Sequence, residues 1–327
     1  MTTYRAALCG LGNIAWLFDR NHLGGGRPCL SHAGTYQSQD KTTLAAGFSP
    51  DEEARKSFQQ TFNLPVYESL EELLAREHPD IVSICSPSQA HYQQVLHCLE
   101  QGVPMIWLEK PPTLTLSEME TLLSLASESQ STVLVNYQRR FLPIYQEFKR
   151  RFRNRSLGRC RQLQAIYSRG LETNGSHILD LLFYVVDDNA DFRLHWVSSA
   201  DPVNPSFFLT IGEVEVVVSG ADLPYHNIDI TITCEEGRLS VLHGGMTGVF
   251  EKKIEHELFP GFYRLERQDD HTFSGLAGLA GGMENALQDL IDAHEQQRSP
   301  ASSLYSASRS MALLQEVRLW QAGRSGL

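Results

Sequence analysis

The chain of 327 residues carries 28 basic against 39 acidic side chains, a formal charge of −11, with 42% hydrophobic residues. That length passes the roughly 250 to 300 residues at which a single hydrophobic core stops growing, so two domains are expected. The acidic balance repels phosphate backbones and anionic bilayers, which argues against nucleic acid and membrane as partners.

Six cysteines, at 9, 29, 85, 98, 160 and 234, form no C-x-x-C pair and no spacing typical of a zinc site or a disulfide framework. No metal is expected. Cys9 and Cys85 sit inside apolar runs, where a thiol behaves as a small hydrophobe in a reducing compartment. The N-terminus enters a strand-like run within four residues, without the apolar stretch that secretion needs, and no window approaches 18 unbroken apolar residues. A cytoplasmic protein is the expectation.

Residues 1–136 alternate short apolar runs with amphipathic stretches, the rhythm of strand and crossover helix in a parallel sheet. Strands are predicted at Tyr4 to Cys9, Thr43 to Phe48, near Val66, Asp80 to Cys85, Pro104 to Leu108 and Thr132 to Asn136. Helices are predicted at Asp51 to Phe62, Leu70 to Glu77, Gln89 to Gln101 and Glu118 to Glu128. Ser69 with Glu72, and Ser117 with Glu120, have the spacing of capping boxes.

Gly10-Leu11-Gly12-Asn13-Ile14-Ala15 directly follows the first strand and is expected to open the first helix. The first glycine permits a tight turn, the second lets backbone approach a pyrophosphate, and Ala15 lets helix and strand pack closely. Phosphate charge would rest on the helix N-terminus, with Asn13 and Ile14 in its first turn. The segment before the second strand includes Gly24-Gly25-Gly26-Arg27-Pro28, which cannot hold a helix. A lid or substrate-contacting loop carrying His22, Arg27 and His32 fits it, and so does a plain surface insertion.

The second strand ends in Ser49-Pro50-Asp51, with Ser49 at the position that contacts a ribose. A hydroxyl tolerates a 2'-phosphate better than a carboxylate does, so the reading leans to NADP over NAD, with Arg55 or Lys56 available to the phosphate. Asp51 bending back toward the ribose is the alternative. After the fourth strand comes Ser86-Pro87-Ser88-Gln89-Ala90-His91, after the fifth Glu109-Lys110-Pro111, and after the sixth Asn136-Tyr137-Gln138-Arg139-Arg140-Phe141. Open α/β sheets bind ligands beyond the carboxyl ends of their strands, where all three segments lie.

The basic run Lys149 to Arg155 marks a helix end and the passage between domains. From about residue 161 the texture becomes β-rich: Leu163 to Tyr167, Leu194 to Ser198, Phe207 to Ile211, Val214 to Ser219, Ile228 to Cys234 and Arg238 to His243. Three helices are expected there, at Ser176 to Val186, Met283 to Gln296 and Ser302 to Trp320. Strands in series imply a mainly antiparallel open sheet with helices on one face. The predicted fold class is therefore an N-terminal Rossmann domain, residues 1–136, plus an α+β domain, residues 137–327, for substrate and oligomerisation. Strands such as Phe207–Ile211 and Val214–Val218 carry enough apolar surface to call for a homodimer or homotetramer.

In Gly175-Ser176-His177-Ile178-Leu179-Asp180, His177 and Asp180 are three residues apart and Tyr184 four further, so one helix face holds all three. An imidazole there could exchange a proton while a neighbouring carboxylate orients it; a structural histidine at a helix start is the plain alternative.

The glycine turn, Glu109-Lys110-Pro111, Gly175 to Asp180 and Asn136 to Phe141, in this order, resemble the Gfo/Idh/MocA family of glucose-fructose oxidoreductase and inositol dehydrogenase relatives, over nearly the whole chain. The resemblance implies hydride transfer between NAD(P) and a secondary alcohol or ketone of a sugar, sugar derivative or cyclitol. It implies that Lys110 points toward the nicotinamide, where its ammonium polarises the substrate oxygen, and that Ser86, Pro87, His91 and Glu109 lie along the cofactor, with a plain helix-start residue the alternative for His91. It gives His177 the acid–base role, since the family's second candidate position is Tyr184 here. Tyr184 and Arg139 are left as substrate contacts, with ion pairing between domains the alternative for Arg139. Another reductase or lyase on the same scaffold, or a silent nicotinamide-binding regulator, are the rival readings.

Overall fold

The computed structural model describes residues 3–22, 28–198, 200–272 and 280–323. Its chain divides into two compact units, 1–141 with 280–308, and 142–279 with 309–327.

In the first unit, β1 (Tyr4–Cys9), α1 (His32–Ser38), β2 (Thr42–Phe48), α2 (Glu52–Phe62), β3 (Val66–Tyr67), α3 (Leu70–Glu77), β4 (Ile81–Ile84), α4 (Ser88–Glu100), β5 (Met105–Leu108), α5 (Leu116–Glu128) and β6 (Thr132–Val135) follow in order. The six strands form one parallel sheet, β3-β2-β1-β4-β5-β6. Every residue of β4 and β5 is buried, as a sheet covered on both faces requires. The chain reverses between β1 and β4, the switch point where such folds leave a crevice beyond their carboxyl edge. Ser69 caps α3 as expected, but α5 starts two residues earlier than predicted, with Thr115 and Glu118 forming the capping box instead of Ser117 and Glu120.

The second unit opens with α6 (Pro143–Arg153), then β7 (Cys160–Ser168), α7 (Ser176–Val186), β8 (Phe192–Val197), β9 (Phe207–Ile211), β10 (Val214–Ala221), β11 (Ile228–Cys234), β12 (Gly237–Leu242), β13 (Thr247–Glu255) and β14 (Tyr263–Thr272). Their sheet, β14-β13-β12-β11-β7-β10-β9-β8, is antiparallel except where β10 meets β7. Alternate residues such as Leu163, Ala165, Val216, Val218, Ile230 and Ile232 enter a core with α7. The hairpin β13–β14 was not predicted: it is an edge pair, and Glu251, Lys252, Lys253 and Glu255 interrupt the apolar alternation that betrays a strand.

Two helices complete the chain, α8 (Gly282–Glu295) and α9 (Leu304–Gln321). A contiguous second domain is not what forms. The apolar stripe of α8, Met283, Ala286, Leu287, Leu290 and Ile291, packs into the first unit's core with Ala33, Tyr36, Trp107 and Leu134, and the division falls inside α9. Among the described residues, no helix is long and apolar enough to cross a membrane.

Candidate active site

The glycine turn differs from a simple strand–turn–helix. Gly10 has φ +90°, and a Cβ there would lie 2.6 Å from the Ser86 amide nitrogen, so only glycine lets β1 and β4 end side by side. One helical turn follows, with the Trp16 amide donating to the Gly12 carbonyl (3.2 Å). The amides of His32 and Ala33 then donate to the carbonyls of Ile14 and Ala15, at 3.0 and 2.8 Å. In a continuous helix residues 18 and 19 would make those bonds. His32 and Ala33 thus take the helical places of residues 18 and 19, and α1 continues the turn that begins at Gly12. The buried Asp19 carboxylate ties that first turn to the start of α1, accepting from the amides of Leu30 (3.0 Å) and Ser31 (2.8 Å) and from the Ser31 hydroxyl (2.6 Å). Gly24, Gly25, Gly26 and Arg27, part of the expected lid, lie outside the described residues. His32 is no lid residue, being completely buried in α1.

The turn fits a dinucleotide pyrophosphate. A Cβ on Gly12 would meet nothing within 4 Å, so space stands open over the turn. Among the described residues, no group accepts from the amides of Leu11, Gly12, Asn13, Ile14 or Ala15, the donors a first helical turn leaves for an anion.

At the end of β2, buried Ser49 accepts the Asp51 amide on its hydroxyl (3.2 Å). The Asp51 carboxylate does not bend back; it caps α2 by accepting from the Ala54 amide (2.8 Å). Arg55 lies across this loop, donating to the carbonyls of Ser49 (2.7 Å) and Pro50 (3.0 Å) and pairing with Glu68 (2.6 Å). Lys56 pairs instead with Glu52 and Glu53 on the exposed helix face.

Beyond β4, the Ser86 hydroxyl is hydrogen-bonded to the Gln94 side chain, and Pro87 stands at the start of α4. His91, in the first turn of α4, is buried; its Nδ1 lies 2.7 Å from the Pro111 carbonyl and its Nε2 2.9 Å from that of Ser86. Both nitrogens are committed to backbone, so His91 ties the loop after β4 to the loop after β5 and has none left for a cofactor.

The loop after β5 carries Glu109 and Lys110, with a cis bond between Lys110 and Pro111. Glu109 Oε1 meets His32 Nε2 at 3.0 Å and accepts from Asn136 Nδ2 at 2.5 Å. Burial works to raise the Glu109 carboxyl, but His32, Asn136 and Lys110 together hold it below the usual carboxylate range. Burial pushes the Lys110 ammonium below the usual lysine range; Glu109 opposes that and the Arg139 charge adds to it. Arg139 is buried in the 3-10 turn Gln138–Phe141, and Arg140 beside it donates to the Ala301 carbonyl (3.0 Å).

In the second unit, a π-turn, Leu171–Gly175, leads straight into α7. The helix runs over the predicted residues and presents His177, Asp180 and Tyr184 on one face. Asp180 and Tyr184 are buried and His177 is partly exposed. The Lys149 ammonium sits 3.7 Å from the centre of the Tyr184 ring. The sequence reading missed Ser83, Tyr36 and the role of His32. Only the helical continuity from Ala15 to His32 would have revealed them.

Residues 5–137 match the model of the Gfo/Idh/MocA oxidoreductase family, described as an NAD-binding Rossmann fold. The chain is 30% identical over 203 residues to a Salmonella typhimurium protein named YceM, covering 61% of this chain and 56% of that one. It is 26% identical over 202 residues to D-glucoside 3-dehydrogenase of Escherichia coli, covering 56% and 54%. The matches therefore span about half the length of these curated relatives. A dehydrogenase structure from Chromobacterium violaceum superposes with TM-score 0.79 at 16% identity, over 99% of this chain and 96% of that one, and so shares the fold. Residues 5–137, which hold the glycine turn and the Glu109-Lys110-Pro111 loop, thus match the NAD-binding Rossmann domain of the Gfo/Idh/MocA oxidoreductase family.

Proposed function

We propose that this protein transfers a hydride between NAD(P) and a CH–OH carbon of a sugar, sugar derivative or cyclitol. The observation that carries the reading is Lys110: an ammonium beyond the carboxyl end of β5, two strands from the one that leads into the glycine turn, that burial makes readier to give up its proton. The D-glucoside specificity in a relative's name supports the substrate class.

When bound, the nicotinamide supplies the hydride acceptor or donor. Backbone amides of Gly12, Asn13 and Ile14 would hold its pyrophosphate on the turn that Gly10 permits, Ser49 would meet the adenine ribose and Arg55 its 2'-phosphate, and Ser86, Pro87 and Glu109 would border the nicotinamide side. Asp51 is spent on the α2 cap and Arg55 brings a fixed positive charge, which favours NADP. Lys110 donates to the substrate oxygen and stabilises its alkoxide character. His177 takes the hydroxyl proton in oxidation and returns it in reduction, Asp180 orients the imidazole, and Tyr184 and Arg139 contact the substrate. Lys110→Ala and His177→Ala should each cut turnover by about 100-fold to 10,000-fold, with NAD(P)H affinity by fluorescence titration unchanged. Folded variants turning over at the parental rate would sink the reading.

We also propose a second copy of the chain on the sheet's open face. Trp196, Phe208 and Val217 stand side by side there on the adjacent strands β8, β9 and β10, and Trp196 and Ile166 are exposed. A monomer by light scattering at micromolar concentration contradicts this.

A further inference from the structure

A chain of buried polar side chains runs beneath the Lys110 loop and ends on its neighbour. The Tyr36 hydroxyl lies 2.6 Å from Ser83 Oγ, Ser83 Oγ lies 2.8 Å from His32 Nδ1, and His32 Nε2 lies 3.0 Å from Glu109 Oε1. Tyr36, Ser83 and His32 have at most 1% of their surface exposed, so each polar atom must find its partner within the protein. A carboxylate only accepts, which fixes the proton of His32 on Nε2 and lets Ser83 donate to Nδ1 while accepting from Tyr36. The His32 ring is locked against Trp107, with centroids 4.0 Å apart. Three elements, α1, β4 and β5, thus fix one imidazole edge.

Its target is Glu109, adjacent in sequence to Lys110. Drawn to His32 and Asn136, the carboxylate is held on the sheet side. Among the described residues of this unit no carboxylate lies within ion-pair distance of the Lys110 ammonium. Without the histidine, the nearest cation left to the freed side of Glu109 is its own neighbour. We propose that His32 is a positioning residue that withholds the Glu109 carboxylate from Lys110, keeping the ammonium available to the substrate oxygen. The role given to Lys110 rests on the hydride-transfer reading above; the placement of the carboxylate does not.

The two are separated by following Lys110 directly. Its acylation by trace acetic anhydride, measured by mass spectrometry across pH, gives the midpoint at which its amine becomes free. In His32→Leu, Glu109 should pair with Lys110 and the midpoint should rise by about one pH unit, the shift an adjacent opposite charge produces. His32→Gln, which keeps an N–H donor near the Nε2 position, should restore the parental midpoint. Glu109→Gln, isosteric and uncharged, should lower it, and it serves if the histidine variants do not fold. A folded His32→Leu with the parental midpoint, His32→Gln and His32→Leu shifting alike, or Glu109→Gln leaving the midpoint in place would each overturn the proposal. In turnover, His32→Leu should lower kcat with KM for the nicotinamide unchanged. Turnover that ignores Lys110→Ala while the midpoints move as stated would leave the positioning intact and remove only the catalytic reading.

Discussion

The two units present their candidate groups by different constructions. In the first, the residues lie on loops at the carboxyl ends of β1, β2, β4, β5 and β6, far apart in sequence and joined by backbone turns and a buried polar chain. In the second, His177, Asp180 and Tyr184 come from eleven consecutive helical residues, and the helix period alone puts them on one face. A site built from strand ends depends on backbone that cannot move; a site built on a helix depends on side chains packed around it, which can.

The same substitution placed in both units should expose that difference. Gly10→Ala puts a Cβ 2.6 Å from the Ser86 nitrogen and 2.8 Å from the Cys85 carbonyl carbon, at a φ that side chains rarely adopt. Backbone conflict of this kind should cost about 3 kcal/mol and abolish NAD(P)H binding in a fluorescence titration. Gly175→Ala, at the start of α7, meets only the ends of the Leu171 and Tyr167 side chains, at 3.0 and 3.1 Å, with φ −57°. It should cost no more than about 1 kcal/mol by urea denaturation and leave cofactor binding intact. Equal losses in the two variants would erase the distinction.

Legibility in the sequence followed the same line. Helix α7 is readable to the residue because its apolar periodicity is local, and the strands of the first unit are readable because burial on both faces leaves unbroken apolar runs. The strand-end loops could be placed by sheet logic and by family resemblance. What could not be read depends on distant pairing. His32 takes the helical place of residue 18 only in the folded chain, and its partners Ser83 and Glu109 are 51 and 77 residues away. The return of α8 to the first unit is equally non-local: its stripe says that it is buried, not against what. The edge strand β13 escaped because only Gly248 and Phe250 of it are buried.

The comparison can be sharpened at the cofactor end of the first unit, where one residue's charge is at stake and the backbone is not. Arg55 reaches back from α2 to the loop after β2, and its guanidinium is fixed by two carbonyls and Glu68. Arg55→Ala should weaken NADPH binding about tenfold, the worth of one partly screened charge-assisted contact, and leave NADH nearly unchanged. Equal weakening of both would mean that Arg55 only braces the loop.

The smallest effect tests whether the helices behind the sheet are set by their own caps. At the start of α5, the Thr115 hydroxyl accepts from the Glu118 amide at 3.2 Å, and Glu118 Oε2 accepts from the Thr115 amide at 3.1 Å. Two residues on, Ser117 and Glu120 repeat the spacing inside the helix, where Ser117 caps nothing. Thr115→Ala should therefore cost about 1 kcal/mol in urea denaturation, while Ser117→Ala, which exchanges a weaker helix former for a better one, should be neutral or slightly stabilising. Because α5 carries no candidate residue, both variants should bind NAD(P)H as the parent does. If Ser117→Ala were the costlier of the two, the helix would begin where the sequence pattern first placed it.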